Sequence, residues 1–272
     1  MVKKSVSSPL VSVVIATKNE AMNIRRLLKS LLKQTFTSLE IIIVDNYSTD
    51  TTLEIVKKFP VQVFSYSGER SKQRNFGVLK SRGRHLLLLD ADMELPSTVI
   101  ADCVKAIQTN LADAVIIPET VKGKGWFTRV KKLEKQLYLN EPVIEAARFI
   151  KKSVFLKVGG FRENLVAGED WDLSQRVSRI GNIGRTRTSL YHYETSFWRE
   201  LKHKFYYAKH IQVYARYHPQ QFLHQSGWFR LKLMARKFPM LLADPLAAAV
   251  LIITKFIEFA FFQLIRLNDK LT

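Results

Sequence analysis

Short apolar runs punctuate the first half of the chain: Val11 to Ala16, Glu40 to Asp45, Val61 to Ser65, His85 to Asp90 and Ala114 to Ile117. Several are rich in Val and Ile, and they predict buried parallel strands. Between them the spacing turns helical. Ala21 to Lys33 sets Ile24, Leu27, Leu28, Leu31 and Leu32 on one face, and Thr51 to Phe59, Ser71 to Ser81 and Ser97 to Gln108 read as further helices. The alternation β-α-β-α-β-α-β predicts an α/β fold built on a doubly wound, mostly parallel sheet. Thr51-Thr-Leu-Glu54 has the spacing of a capping box, and Pro96 stands where a first helical turn accepts proline.

The pattern changes after Tyr191. Aromatics alternate with cations through Trp198, Arg199, Lys202, Lys204, Phe205, Tyr206, Tyr207 and Lys209, and Arg230, Lys232, Arg236 and Lys237 extend the basic face. Rings among Lys and Arg on a helix fit the headgroup layer of an anionic membrane; the same features also suit single-stranded nucleic acid. Residues 246–265 form the most apolar segment, with Lys255 and Glu258 near its centre. Twelve strong hydrophobes at roughly −0.3 to −0.6 kcal/mol each gain about 5 kcal/mol, and two central charges cost about the same, so insertion is balanced. An interfacial helix is expected ahead of a true span, with Lys255 and Glu258 spaced to pair.

Composition adds bounds. The 272 residues, 47% hydrophobic and 25% charged, suit one large domain or one with an appendage, and exclude disorder and rod-like repeats. The single cysteine, Cys103, forms no internal disulfide or thiolate cluster, which fits a reducing, cytoplasmic compartment. The formal charge of +19 is uneven: residues 1–120 carry 16 Lys and Arg against 12 Asp and Glu, whereas residues 121–272 carry 27 against 12. The basic excess of the second part favours an anionic partner.

In an open α/β sheet, ligands gather beyond the carboxyl ends of the strands. Thr17-Lys-Asn-Glu20, Asp45-Asn-Tyr-Ser-Thr-Asp50 and Asp90-Ala-Asp-Met-Glu94 follow strands, and all three carry carboxylates. The first turn has neither the glycine fingerprint of dinucleotide binding nor a phosphate loop. Asp90 and Asp92, two apart in extended chain, are expected on the same side, where two hard oxygens can converge on one Mg²⁺ or Mn²⁺.

Val11-Ser-Val-Val-Ile-Ala-Thr-Lys-Asn-Glu20, Glu40-Ile-Ile-Ile-Val-Asp45, Lys72-Gln-Arg-Asn-Phe-Gly77, Leu89-Asp-Ala-Asp92 and Gly168-Glu-Asp-Trp171 occur in that order. Together they resemble a family 2 glycosyltransferase of the GT-A fold over roughly residues 10 to 195. The resemblance implies a catalytic domain over 1–195 and C-terminal helices over 196–272. It implies that Asp90 and Asp92 hold a divalent ion, Mn²⁺ or Mg²⁺, with Asp90 also at the donor diphosphate. It implies that Thr17, Glu20, Asp45 and Arg74 attend the nucleotide. Asp170 is assigned as general base of an inverting transfer and Glu169 as its neighbour, while Asp172 receives no catalytic role. His192, in Leu190-Tyr-His-Tyr-Glu194, is placed as a further metal ligand, and the histidines from His203 to His224 as surface or interface residues.

The expected partners are a UDP- or GDP-sugar donor, a glycan or lipid-linked acceptor and a membrane surface, with a homo-oligomer possible and no nucleic acid. The stretch Val121 to Ile150 is expected to govern acceptor choice, with Gly123-Lys-Gly-Trp-Phe127 as a loop over the site. Two other classes compete: a sugar-nucleotide nucleotidyltransferase, which would ordinarily show a glycine-rich phosphate loop, and a non-catalytic module for anionic membrane or nucleic acid.

Overall fold

Every apolar run named above forms a strand. The computed structural model describes residues 11–109, 111–141, 143–193, 197–223 and 227–268. The first part runs β1 (Val11–Thr17), α1 (Ile24–Leu32), β2 (Leu39–Asp45), α2 (Thr52–Val56), β3 (Gln62–Ser65), α3 (Arg70–Lys80), β4 (His85–Asp90), β5 (Met93–Glu94) and α4 (Val99–Thr109). The middle adds β6 (Ala114–Ile116), β7 (Glu119–Lys122), α5 (Trp126–Tyr138), β8 (Ala147–Lys151), α6 (Lys152–Lys157), α7 (Glu169–Ser178), β9 (Ile183–Arg185) and β10 (Leu190–Tyr193). The chain then turns wholly helical: α8 (Phe197–Tyr217), α9 (Pro219–Leu223), α10 (Gly227–Arg236), α11 (Phe238–Leu242) and α12 (Pro245–Asn268).

The main sheet has the order β3-β2-β1-β4-β8-β6-β9, and a second sheet the order β5-β10-β7. β1, β2, β3 and β4 pair in parallel, as do β6 and β9, but β8 enters between β4 and β6 antiparallel to both. The five expected strands thus all run the same way in a mostly parallel sheet, and β8 is an added strand that the apolar pattern did not mark. Helices cover both faces, so Val13, Ile15, Ile43, Leu87 and Leu89 pack with α1 and α4 in one core, while Val14, Leu86, Leu88 and Ile150 pack with α3, α6 and α7 in another. That two-sided burial is why the central strands read as unbroken apolar runs. Gly77 lets α3 approach the sheet: a Cβ there would stand 2.5 Å from Val14 Cγ1.

Two local expectations are revised. The Thr51 side chain makes no capping bond; Asp50 accepts the Thr52 amide instead, at 3.0 Å. Helix α4 starts at Val99, so Pro96 sits in the turn before it, its carbonyl accepting the Val99 amide.

A third cluster joins the C-terminal helices to the domain: Val130, Leu133 and Leu137 of α5 pack with Met234, Leu241, Ala247, Ala248 and Leu251. Among the described residues no helix is long and apolar enough to cross a membrane. The pairing of Lys255 with Glu258 is found, at 2.9 Å.

Candidate active site

Parallel register brings the strand ends level. Thr17 lies opposite Asp45, and Ala16 opposite both Val44 and Asp90. Thr17 Oγ1 donates to Asp45 Oδ1 at 3.0 Å, and Asp45 also accepts the Ser48 amide at 2.8 Å and the Ser48 hydroxyl at 2.6 Å. Asp45 is fully buried and Thr17 nearly so. Both therefore brace the loop over the strand ends from beneath. Asn19 and Tyr47 adopt left-handed backbone in these loops, and Asn19 Oδ1 accepts the Thr49 amide at 2.8 Å, zipping one loop to the other. Glu20 faces the same side as Asp90 and Asp92. Burial raises its pKa, with the two aspartates adding to the rise, against the hydrogen bond from Asn23 and the charge of Arg199.

The motif Lys72-Gln-Arg-Asn-Phe-Gly77 is explained residue by residue. Gln73 donates to the carbonyls of Thr17 (3.1 Å) and Val44 (2.7 Å), and Asn75 exchanges two bonds with the Phe161 backbone. Arg74 between them has no solvent exposure, so it is no surface helix charge. Its Nη2 donates to Asp90 Oδ1 at 2.5 Å and its Nη1 to Asp170 Oδ1 at 2.9 Å. One guanidinium thus ties the end of β4 to the start of α7, although the two carboxylates lie 80 positions apart in the chain.

Helix α7 begins at Glu169 because Gly168 takes a left-handed conformation, φ 77°. A Cβ there would also stand 2.8 Å from the ring of Tyr214. Glu169 is buried; burial and the adjacent Asp170 charge raise its pKa, while Arg70 at 3.1 Å and Arg74 oppose the rise. Asp170 is more open, with 26% of its side chain exposed. Asp172 is a buried structural centre: Arg162 and His218 reach it at 2.7 Å and Arg176 at 2.6 Å. His218 is therefore a buried anchor of the helices after α8, which corrects its reading as a surface or interface residue; His224 lies outside the described residues.

Asp90 and Asp92 stand at the turn that ends β4. Chain direction turns at Ala91 and Asp92, so the extended spacing ends at Asp90. Asp90 meets Arg74, Arg148 at 3.3 Å and Arg70 at 3.7 Å. Burial opposes its ionisation, but these three cations outweigh burial and hold the carboxyl far below the usual carboxylate range. Asp92 lies instead by His192, whose Nδ1 stands 3.5 Å from Asp92 Oδ1 and whose Nε2 stands 3.1 Å from Glu119 Oε2. Burial disfavours a charged ring, yet Glu119 and Asp92 raise the His192 pKa to about 9. His192 thus stands between two carboxylates, Asp92 and Glu119. Among the described residues, no three His, Cys, Asp or Glu side chains gather as a ready cation site.

Three functional candidates escaped sequence reasoning. Arg148 sits on β8, whose short apolar core between cations gives little strand signal; it bonds Glu119 at 2.7 Å and reaches toward Asp170 at 3.9 Å. Glu119 joins Arg148, Lys135 and His192, and those cations, against the effect of burial, hold it well below the usual range. Arg70 precedes Arg74 by one helical turn, and that spacing is the one signal that could have found it. Buried polar atoms without a hydrogen bond include Arg74 Nε, Arg148 Nη1 and Asp92 Oδ1. Beside Arg148 opens a cavity of about 370 Å³ whose lining also includes Glu169, Asp170, Trp171, Tyr207 and Arg230. Lys131, Glu134, Lys135 and Tyr138 of α5 line it too, within the stretch expected to face the acceptor. The expected loop is shorter than 123–127: Gly123 to Gly125 links β7 to α5, and Trp126 and Phe127 already begin that helix, with Trp126 against Phe197.

Comparison with known proteins agrees with this arrangement. The family model for glycosyl transferase family 2 matches residues 12–162. The chain is 33% identical over 124 residues to poly(ribitol-phosphate) beta-N-acetylglucosaminyltransferase TarS of Staphylococcus aureus strain Mu50, covering 42% of this chain and 22% of TarS. It is 31% identical over 153 residues to TarP of strain N315, covering 53% of this chain and 47% of TarP. The chain thus spans less than half the length of these curated relatives. Among solved structures, TarS 1–349 in complex with UDP-GlcNAc aligns with a TM-score of 0.58 at 22% identity, over 68% of this chain and 59% of that one. Mannosyltransferase PcManGT from Pyrobaculum calidifontis, in complex with GDP-Man and Mn²⁺, aligns at 0.66 and 19% identity, over 96% and 87%. These likenesses establish an α/β GT-A-like fold.

Proposed function

The chain belongs to glycosyl transferase family 2, and from that premise we propose that it transfers a sugar, with inversion, from a nucleoside-diphosphate sugar to an acceptor hydroxyl. The acceptor is a glycan or lipid-linked molecule at the cytoplasmic face of a membrane. The observation that carries the reading is the cluster of guanidinium groups at the junction of β4 and α7: Arg74 bridges Asp90 and Asp170, and Arg148 and Arg70 stand beside Asp90 at 3.3 and 3.7 Å. Fixed guanidinium charge there suits the diphosphate of a nucleotide donor.

Direct displacement needs three things: a base on the acceptor side, stabilisation of the leaving group opposite, and a fixed line between them. Asp170 fills the first role, being the more open carboxylate of the pair and lining the cavity. Arg74, Arg148 and Arg70 supply fixed positive charge where the diphosphate leaves, and a prearranged charge costs no reorganisation during reaction. Arg74 bonds both Asp90 and Asp170 and so sets the line between the two sides. Glu169, buried behind Asp170, holds Arg70 in position. Thr17 and Asp45 shape the nucleotide loop, and Glu20 offers its carboxylate to ribose or base.

A divalent ion would be held by Asp92, whose Oδ1 is buried without a hydrogen bond of ordinary length and lies 3.5 Å from His192. When bound, Mn²⁺ or Mg²⁺ supplies Lewis-acid neutralisation of the departing diphosphate. His192 and Glu119 hold the Asp92 side of this arrangement.

The test is nucleoside diphosphate release from a panel of UDP- and GDP-sugars, with Mn²⁺, Mg²⁺ or chelator. Asp170→Asn is expected to lower turnover by roughly 10²–10⁴-fold with donor binding retained. Asp92→Ala is expected to lose the metal-dependent release, and full transfer by that variant would sink the metal role. Full transfer by Asp170→Asn would sink the base assignment, and wild-type release unchanged by chelator would remove the ion from the mechanism.

A further inference from the structure

Helix α12 is apolar on two opposite faces. Ala247, Ala248 and Leu251 are buried against α5. The other face presents Leu246, Ala249, Ile253, Phe256, Ile257 and Ala260 at spacings of three and four, all exposed. Leu246 is 75% exposed and Phe256 56%. Leu242, at the end of α11, extends the stripe by one turn and is also exposed. A helix face open to water is ordinarily polar, and this one carries no polar side chain over four turns.

The two charges of the segment do not interrupt that face. Lys255 is buried and contacts Glu134 of α5, and Glu258 contacts Lys204 of α8. Both are directed at the protein. The cost that balanced insertion in the sequence therefore falls away for a helix lying flat, because the charges keep their protein partners while the outer face leaves water.

Charge selects among the occupants of such a face. From Pro219 to Ala260 the acids are Asp244 and Glu258, and both are paired, Asp244 with Arg129. On α10, Lys232 is exposed, Arg236 is exposed while touching Glu141, and Trp228 is 76% exposed. A second copy of the chain would bring these cations against their own kind. Anionic headgroups complement them, and an indole among cations is the composition of a membrane interface.

We infer that α12 lies in the plane of an anionic bilayer surface, its bare face in the acyl boundary, with Trp228, Lys232 and Arg236 of α10 among the headgroups. This placement goes beyond the transfer activity and does not depend on it. It also sets the cavity beside Asp170, whose wall includes Arg230 of α10, next to the bilayer.

The test is flotation of the full chain with vesicles of phosphatidylcholine alone or mixed equally with phosphatidylglycerol. The chain floats with the mixed vesicles and far less with the neutral ones. Phe256→Asp with Ile257→Asp lowers the bound fraction roughly tenfold or more, with circular dichroism unchanged. Leu246→Ser with Ile253→Ser, a milder pair on the same face, gives the same direction if the aspartates disturb folding. Lys232→Glu with Arg236→Glu narrows the difference between the two vesicle types. A wild-type chain that floats with neither composition overturns the inference. So does sedimentation showing a dimer that the Phe256 and Ile257 changes dissociate while vesicle binding is unchanged.

Discussion

Arg74 shows how one side chain can hold two halves of a site. Its guanidinium is without solvent exposure and donates to Asp90 and Asp170, so replacing it leaves two carboxylates short of a partner. Removing one member of a buried charged set costs about 3–5 kcal/mol. Arg74→Met is expected to lose that much in urea denaturation and to abolish diphosphate release. Arg74→Lys, with one compact charge in place of a planar fork, is expected to regain stability but little turnover. Stability restored together with activity would make Arg74 a simple counter-charge. Asp90, Asp170 and Arg74 could be picked out in the sequence because each stands in a recognisable local string. Arg148 and Glu119 could not: their partners are set by strand insertion and helix packing, and nothing within a few residues of them announces a site, while Arg70 offered only its one-turn spacing from Arg74. His218 was misread for the same reason, since Asp172, its partner, is 46 positions away.

At the scale of the element, the start of α7 depends on a residue without a side chain. Gly168→Ala must put a methyl group at φ 77° and 2.8 Å from the Tyr214 ring. The backbone strain alone is about 1–3 kcal/mol, and relief would move the turn that carries Glu169 and Asp170. A lowered Tm with a larger fractional loss of turnover than of donor binding is the expected result; unchanged kinetics would show that the turn absorbs the methyl. Helix α12 depends on its charges instead. Glu134 meets Lys131 and Lys255 on the inner side of α5, and Glu134→Gln removes the carboxylate they share, leaving Lys131 with Glu200 and Lys255 with Glu258. Faster amide exchange in α12, with β1 and β2 unaffected, is expected of that variant. The central strands and α12 were legible because long apolar runs need no context. Strand β8 was not, since Ala147-Arg-Phe-Ile-Lys151 offers a brief apolar core between cations, and its place in the sheet rests on pairing with residues far away in sequence. The turn after Asp90 was hidden as well: spacing alone does not tell where an extended strand stops.

For the molecule as a whole, buried carboxylates set the response to acid. Burial opposes ionisation of Glu134, but Lys131, Lys255 and Lys204 hold it well below the usual range; Ser12 and Arg82 do the same for Glu40. Their proton affinity is weaker folded than unfolded, so the stability they contribute is complete above the unfolded pKa of about 4.3 and is lost as pH falls further. Glu20 and Glu169 run the opposite way: raised pKa values mean that acidification relieves a penalty of the folded state before that loss begins. The urea midpoint is therefore expected to change little from about pH 7 to pH 5 and to drop steeply between about pH 4.5 and pH 3. A midpoint that is level through the acid range would show that these ion pairs contribute nothing net.

The antiparallel entry of β8 between β4 and β6 also orders events in time. β3, β2, β1 and β4 are drawn from residues 11–90 and can pair as soon as that stretch leaves the ribosome, whereas the far edge of β4 waits for Ala147–Lys151. Until then Leu86 and Leu87 present an unpaired strand edge, and Asp90 lacks Arg148. The nascent chain thus passes through an interval with an adhesive sheet edge beside a half-neutralised carboxylate, a point at which a chaperone or a crowded polysome has most influence on its yield. Pulse-labelled refolding is expected to protect the amides of β1 and β2 before those of β8.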